Sequence, residues 1–417
     1  MPGETNRRGF RRGTRQAPDL GVLVYEFGKL SETFVLHDLL ALEASGVRLT
    51  VYSVIKTAGE INHEAADRLE AEVRYVPEVS GRQQRLLVRV VQGMLAARSP
   101  VAHLRALARV YASPDYKRIR LQQAVLLAGE MERDQCPALY VHFAHRAGTI
   151  GRFAALMLDI PYAISAHAVD VWTPPANELR AKVRDAETVL CCSEEARQHL
   201  RRLAGDRTPL ALVRHGAELP PLRDRTEQSP PVVLSVGRLV PKKGYGTLLA
   251  AIGVLRDRGV PLQLRIVGEG PEWAALQRRV NNLELGSMVR FLGPLNDVEL
   301  DRAYLSASVF VLACERMPDG NRDGIPNTVL EAMARALPVI STRLPSVAEA
   351  VLDGETGLLV AERDSVALAD ALERLLGDQS LRLQLGAAGR GRVAAGFDRR
   401  ECGPRVHEAL AAVGLVR

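Results

Sequence analysis

The sequence predicts an α/β protein built from two doubly wound, Rossmann-like parallel-sheet domains that face each other across an interdomain cleft. Three observations carry this prediction. Short apolar, β-branched runs alternate with helix-length stretches along nearly the whole chain, the pattern of parallel strands joined by crossover helices. The alternation stops once, at GAELPPLRDRTEQSPP (216–231), which is rich in proline and charge and poor in periodic apolar residues. The 417 residues also exceed the roughly 250–300 at which a single core stops growing.

In the first half the expected strands are LGVLVYEF (20–27), VRLTVYSV (47–54), ALYVHFA (138–144), PYAISAH (161–167), ETVLCC (187–192) and PLALVR (209–214). Between the first two lies SETFVLHDLLALEASG, a helix with Ser31 as N-cap and Gly46 as terminator. Residues 82–135 read as two or three helices, more than a simple crossover needs. The second half repeats the alternation: PVVLSVG, a helix over 246–257, PLQLRIVG, a helix over 272–282, MVRFLG, a helix over 297–306, SVFVLA, a helix over 327–336, PVIST and GLLV. A last helix over about 399–416 has no strand after it. The expected division is a disordered basic arm (1–17), a first domain (18–217) with its helical insertion, a linker (218–231), a second domain (232–396) and the terminal helix (397–417).

Composition narrows the function classes. Hydrophobic residues make up 47% and charged residues 25%, as in a globular protein. No apolar run approaches the roughly 18–20 residues needed to span a bilayer, and the basic N-terminus lacks the apolar stretch of a signal peptide, so a cytoplasmic protein is expected. Five cysteines without a CxxC pair read as buried thiols rather than as a disulfide framework. The net charge of +6 is concentrated between Arg82 and Gln123, where nine basic residues face one acid, Asp115. Such a surplus suits a phosphorylated acceptor or the anionic inner face of the plasma membrane. Nucleic acid is disfavoured because no stacking aromatics are interleaved with the charges.

Candidate chemistry clusters where strands end. In SVGRLVPKKGYGTLL (235–249), Arg238 follows a strand and Lys243 precedes Gly244 and a helix start; two cations beside a helix N-terminus form an anion site suited to a diphosphate. In DGNRDGIPNTVLEAMARALPVIST (319–342), Asp323 sits in a loop and Glu331 about one turn into the following helix. Amides around Gly324, Ile325 and Asn327 would point out of that helix, with Pro326 in its first turn. Carboxylates beside phosphate would be repelled, so Asp323 is expected on a sugar hydroxyl and Glu331 on a ribose. SAHAVDVW (165–172) puts His167 at a strand's carboxyl edge, HFAHRAGTIG (142–151) adds His142 and His145, and EFGKLSETF brings Gly28 and Lys29 to a helix N-terminus. IVGEGPE (266–272) lacks the third glycine of a dinucleotide fingerprint, and neither a GxxxxGK[ST] loop nor a HExxH zinc motif is present. No metal and no cofactor beyond a nucleotide-sugar co-substrate is expected.

Taken in order, GRLVPKKG, IVGEGPE, VRFLG and DGIPNTVLEAMA resemble the retaining glycosyltransferases of family 4 (glycosyl transferases group 1), which have the GT-B fold. The resemblance runs from about residue 20 and is strongest over 232–360. The SETF, HFAHRAG and SAHAVDVW segments further resemble the branch that makes colanic acid and other exopolysaccharides. It implies that Arg238 and Lys243 bind the donor pyrophosphate, that Asp323 and Glu331 form the family's acidic pair, and that His167 lies near the donor sugar. It also implies that amides from Gly324 to Asn327 hold sugar and phosphate, that the wall around Arg290 and Phe291 flanks the nucleobase, and that the last helix returns to the first domain. The leaving phosphate would itself take the acceptor's proton. Asp323 stands where glutamate is more usual, and the loop at Gly28 lacks a paired glycine. The resulting expectation is metal-independent, retaining transfer of a hexose from a nucleoside-diphosphate sugar to a saccharide or lipid-linked acceptor. The rivals are a nucleotide-sugar epimerase of the same fold and a non-catalytic protein that binds anionic polymers.

Overall fold

The structure is a computed structural model that describes residues 17–28, 33–56, 68–76, 100–223, 225 and 228–417, with side chains from 105 onward in the stretch that begins at 100. The basic arm apart from Ala17, Lys29, the cap expected at Ser31, and Arg82, Arg85, Arg89 and Arg98 of the basic cluster lie outside the described residues.

Two all-parallel sheets organise the chain. The first has the order β3-β2-β1-β4-β5-β6-β7, with β1 Leu20–Glu26, β2 Leu49–Ile55, β3 Glu72–Tyr75, β4 Leu139–His142, β5 Tyr162–Ala166, β6 Thr188–Cys191 and β7 Leu210–Leu212. The second has the order β10-β9-β8-β11-β12-β13, with β8 Val232–Val236, β9 Gln263–Val267, β10 Val289–Gly293, β11 Val309–Leu312, β12 Val339–Thr342 and β13 Leu358–Val360. The expected α/β class with two Rossmann-like sheets is what the chain adopts. β3 was not expected, because EVRY is short, half charged and only partly buried at a sheet edge.

Burial on both faces explains the nearly continuous apolar strands. Val22 and Val24 of β1 enter one core with the helix Thr33–Ala44, while Leu23 between them enters the opposite core with the helices Arg118–Arg133 and Arg146–Leu158. Likewise Val232, Leu234 and Val236 of β8 pack on one side and Val233 on the other. Side chains at successive strand positions must alternate faces, so a two-sided core needs an apolar residue at each.

The chain crosses between the halves twice, at one place. Ala217 is buried there beside Phe397 and pairs through its backbone: its N–H reaches Phe397 O at 2.8 Å, and its carbonyl accepts from the N–H of Arg399 at 2.9 Å. The helix Pro404–Ala411 then buries Val406 and Leu410 against the Thr33–Ala44 helix, in the first half's core. Parallel strands place every carboxyl end of a sheet along one edge, where ligands of open α/β sheets bind.

Candidate functional site

The first wall of the site follows β8. A 3₁₀ turn, Pro241–Lys243, leads through Gly244 into the helix Tyr245–Asp257. Gly244 has φ +67°, and a Cβ there would lie 1.7 Å from the carbonyl oxygen of Ala313. Only glycine lets the turn seat this deeply. Gly244→Ala is therefore expected to cost on the order of 3 kcal/mol or more, read as a lowered urea midpoint. A midpoint equal to that of the parent would contradict the packing.

That seating delivers two ammonium groups to one carboxylate. Lys243 Nζ is 2.7 Å from Asp323 Oδ2 and Lys242 Nζ 2.9 Å from Oδ1, and the Cys314 thiol donates to Oδ2 at 3.4 Å. Burial by itself would raise the Asp323 carboxyl, but the two lysines outweigh it and hold the group well below the usual carboxylate range. Lys243 shows the counterpart: desolvation opposes its charge, yet Asp323 raises it overall. Arg238 is exposed, close enough for its charge to act on Lys243, and without an ion-pair partner among the described residues. The motif GRLVPKKG thus presents one free guanidinium beside a lysine–aspartate cluster. Lys242 was not singled out from the sequence; its neighbour carried the motif.

After Asp323 the loop reaches Pro326, which is the N-cap (φ −70°, ψ 124°) rather than a first-turn residue, and the helix Asn327–Ala334 begins. Residue 326 stays extended because its carbonyl accepts from Val329 and Leu330 while lying outside the helix. Glu331, one turn in, accepts from Tyr304 Oη at 2.9 Å, and its charge partly offsets the burial that lowers the Arg399 guanidinium. Arg290 and Phe291 have different surroundings. As neighbours on edge strand β10 they point to opposite faces. Phe291 packs on Trp273 (ring centroids 5.2 Å apart), and Arg290 lines a shallow groove with Gln263, Arg265 and Leu292. The glycines of IVGEGPE have a structural use: a Cβ on Gly268 (φ +129°) would come within 2.1 Å of Gly237 O, so the loops after β8 and β9 pack backbone to backbone.

The opposite wall comes from the first sheet. His167 follows β5 and is 5% exposed. Its ring lies among Phe34 (4.6 Å), Phe143 (4.6 Å), His215 (5.1 Å) and, stacked at 7°, His142 (6.0 Å). The Asp170 carboxylate accepts from the N–H of His167 at 2.9 Å and from the N–H of Ala144, so one side chain fixes the loops after β4 and β5. Burial pushes that carboxyl up to about 7. Gly28 (φ +91°) lies in the turn that follows β1, and His145 caps the helix Arg146–Leu158 by accepting from the N–H of Arg146.

Desolvation drives all three clustered histidines downward: His142 to about 3, His215 to about 4, and His167 well below its usual value. They stay neutral in the fold while the unfolded chain takes protons below about 6.5, so stability falls as pH drops from 7 toward 4. For His142 the loss between pH 7 and pH 5 is about 2 kcal/mol. His142→Asn is expected to flatten the pH dependence of the unfolding free energy, read from urea midpoints at pH 7 and pH 5, by about that amount; parallel profiles for parent and variant would refute it.

The two walls meet at Gly324. A Cβ built there would lie 3.5 Å from Cys192 Sγ and 3.9 Å from Ala168 Cβ, so the loop that holds Asp323 abuts the loop that holds His167. Beside it Arg322 stacks on Trp172 (3.4 Å to the ring centroid) and pairs with Glu195 at 2.7 Å. Glu195 also accepts from Ser346, its N–H donates to Glu349 at 3.1 Å, and Glu349 pairs with Arg214 at 3.1 Å. Sequence reading found neither His215 and Cys192 nor this ion-pair bridge, whose partners lie 127 residues or more apart.

Two doubly wound parallel sheets, carboxyl edges face to face and joined by a linker and a returning C-terminal helix, define a GT-B protein. Solved structures agree on the fold: HepE of Anabaena, crystallised with UDP and glucose, superposes with a TM-score of 0.70 at 17% identity, over 95% of this chain and 100% of that one. Residues 223–392 match the family Glycosyl transferases group 1, so the second half of the chain carries a group 1 glycosyltransferase domain. Among its relatives are the putative colanic acid biosynthesis glycosyltransferase WcaL of Escherichia coli K12, 26% identical over 85% of this chain and 89% of that protein. Another is the GDP-mannose-dependent alpha-(1-6)-phosphatidylinositol monomannoside mannosyltransferase of Mycolicibacterium smegmatis, 35% identical over 43% of this chain and 47% of that protein. Among the described residues no helix is long and apolar enough to cross a membrane.

Proposed function

We propose that the protein transfers a hexose, with retention, from a nucleoside-diphosphate sugar to a saccharide or lipid-linked saccharide in the assembly of a cell-surface polysaccharide. The observation that carries this reading is the cation cluster after β8, with Arg238 unpaired beside Lys243 and the Asp323 loop abutting His167 across the cleft. A diphosphate brings the negative charge that such a cluster needs. Arg238 and Lys243 neutralise the charge that develops on the leaving phosphate, a role usually given to a metal ion, so no divalent metal is required. Backbone amides from Gly324 to Asn327 hold sugar and phosphate, Asp323 and His167 flank the sugar, and Glu331 receives the ribose hydroxyls. Gly28 closes the approach from the first sheet. The colanic-acid relative supports the polysaccharide assignment. The exposed basic residues Arg105, Arg109, Lys117 and Arg118 suit an anionic acceptor or membrane surface.

The test is a screen of the purified chain against UDP- and GDP-sugars, with thermal shift for binding and nucleotide release for turnover. The true donor, at a hundredfold excess over its dissociation constant, stabilises by about 2.7 kcal/mol. Release that depends on a saccharide acceptor and survives chelator treatment is the expected result. Release without any acceptor dependence favours an epimerase instead, and no binding of any nucleotide sugar overturns the proposal.

A further inference from the structure

We propose that His167, His215 and Cys192 form a binding site for a soft divalent metal ion, with zinc as the best fit, at the floor of the interdomain cleft. One donor atom from each residue can be chosen so that all three lie within 4.8 Å of one another. His215 Nε2 and His167 Nδ1 are 3.2 Å apart. Two nitrogens bound to one tetrahedral zinc at about 2.0–2.1 Å lie roughly 3.3 Å apart, so the imidazoles already hold a coordination edge. The Cys192 thiol belongs to the same cluster and supplies the third donor.

The surroundings suit such a site. Among the described residues, both ring nitrogens of His142 are buried without a hydrogen-bond partner, and so are His167 Nε2 and His215 Nδ1, the nitrogens that keep protons when the other pair coordinates. Buried polar atoms are ordinarily satisfied, and four orphaned imidazole nitrogens in one cluster are unusual. The walls are aromatic, from Phe34 and Phe143, and Asp170 clamps the loop that carries His167. Two imidazoles and a thiolate are a donor set for zinc or copper rather than for magnesium or calcium, which prefer oxygen.

Binding replaces the hydrogen bond between the two imidazoles. The ring that donated this hydrogen bond shifts its proton to its other nitrogen, so that each ring offers a lone pair to the metal, while the Cys192 thiol releases its proton to solvent as the metal–sulfur bond forms. The Gly324 loop packs against Cys192, so the site lies next to the loop that carries Asp323. A metal held there occupies the space the proposed reaction needs and immobilises His167. The ion is therefore an inhibitor rather than a catalyst. That consequence rests on the transfer reading; the binding site does not.

The experiment titrates the chelator-treated full chain with cobalt(II) and then zinc(II). One equivalent of cobalt should give the intense visible bands of four-coordinate cobalt and a near-ultraviolet thiolate charge-transfer band, both erased by zinc. Cys192→Ser should lose the charge-transfer band, and both it and His215→Gln should weaken uptake by roughly tenfold or more. Thermal midpoints taken without metal confirm that the variants are folded. Absence of stoichiometric uptake, or uptake unchanged in both folded variants, overturns the site. Zinc should also suppress nucleotide release until chelator is added, less so in Cys192→Ser relative to that variant's own rate. Uptake without any transferase activity would sink the functional reading and leave the metal site standing; activity without uptake would do the reverse.

Discussion

Lys243→Met is expected to slow acceptor-dependent nucleotide release by roughly a hundredfold or more, with the loss mainly in kcat. The ammonium is nearly buried, held in one place by Asp323, and sits on a turn that Gly244 locks against Ala313. Charge that develops on the leaving diphosphate therefore meets a donor that needs no reorganisation. Removing one such preorganised donor costs about 2.7–4 kcal/mol of transition-state stabilisation. Lys243→Arg should recover little, because a planar fork cannot take the place of a point charge wedged between Asp323 and the turn. Steady-state rates within about threefold of the parent, in a variant with an unchanged thermal midpoint, would remove Lys243 from the donor site.

Asp323→Ala is expected to show the largest stability loss, about 3–5 kcal/mol, because it leaves Lys242 and Lys243 facing each other with no buried counter-charge. The sign with pH follows from the depressed carboxyl. Its stabilisation is fully present above the ordinary carboxylate value of about 3.9 and is lost only in strong acid, as pH falls through the folded value. Urea midpoints at pH 7 should therefore show the full difference, and the gap should narrow only under strongly acidic conditions. A nucleoside diphosphate supplies the missing anion, so it should stabilise Asp323→Ala more than the parent. Equal stabilisation of both proteins would mean that the diphosphate binds elsewhere.

Much of this protein could be read from its residues. The alternation of apolar runs implied two parallel sheets, since strands buried on both faces must be apolar at successive positions, as Val22, Leu23 and Val24 are. Motifs confined to one loop were equally legible: GRLVPKKG announced its cations because strand end, glycine and helix start are contiguous in sequence. β3 escaped because an edge strand buries too little to need an apolar run. Arg290 and Phe291 are neighbours in their motif, yet on a strand neighbours face opposite ways, so the motif alone did not show that they meet different surroundings.

What the sequence by itself determined was local: which segments become strands, where each turn needs glycine, and which cations end a strand. What only the tertiary structure decided was pairing across distance. It set Lys242 and Lys243 on Asp323, His215 beside His167, Cys192 opposite Gly324, and Arg322 between Trp172 and Glu195. The reason is physical: propensity and periodicity act over a few residues, whereas these contacts form only after two sheets have closed their carboxyl edges together. Charge and ring chemistry carry no mark in the chain of the partner they will meet there.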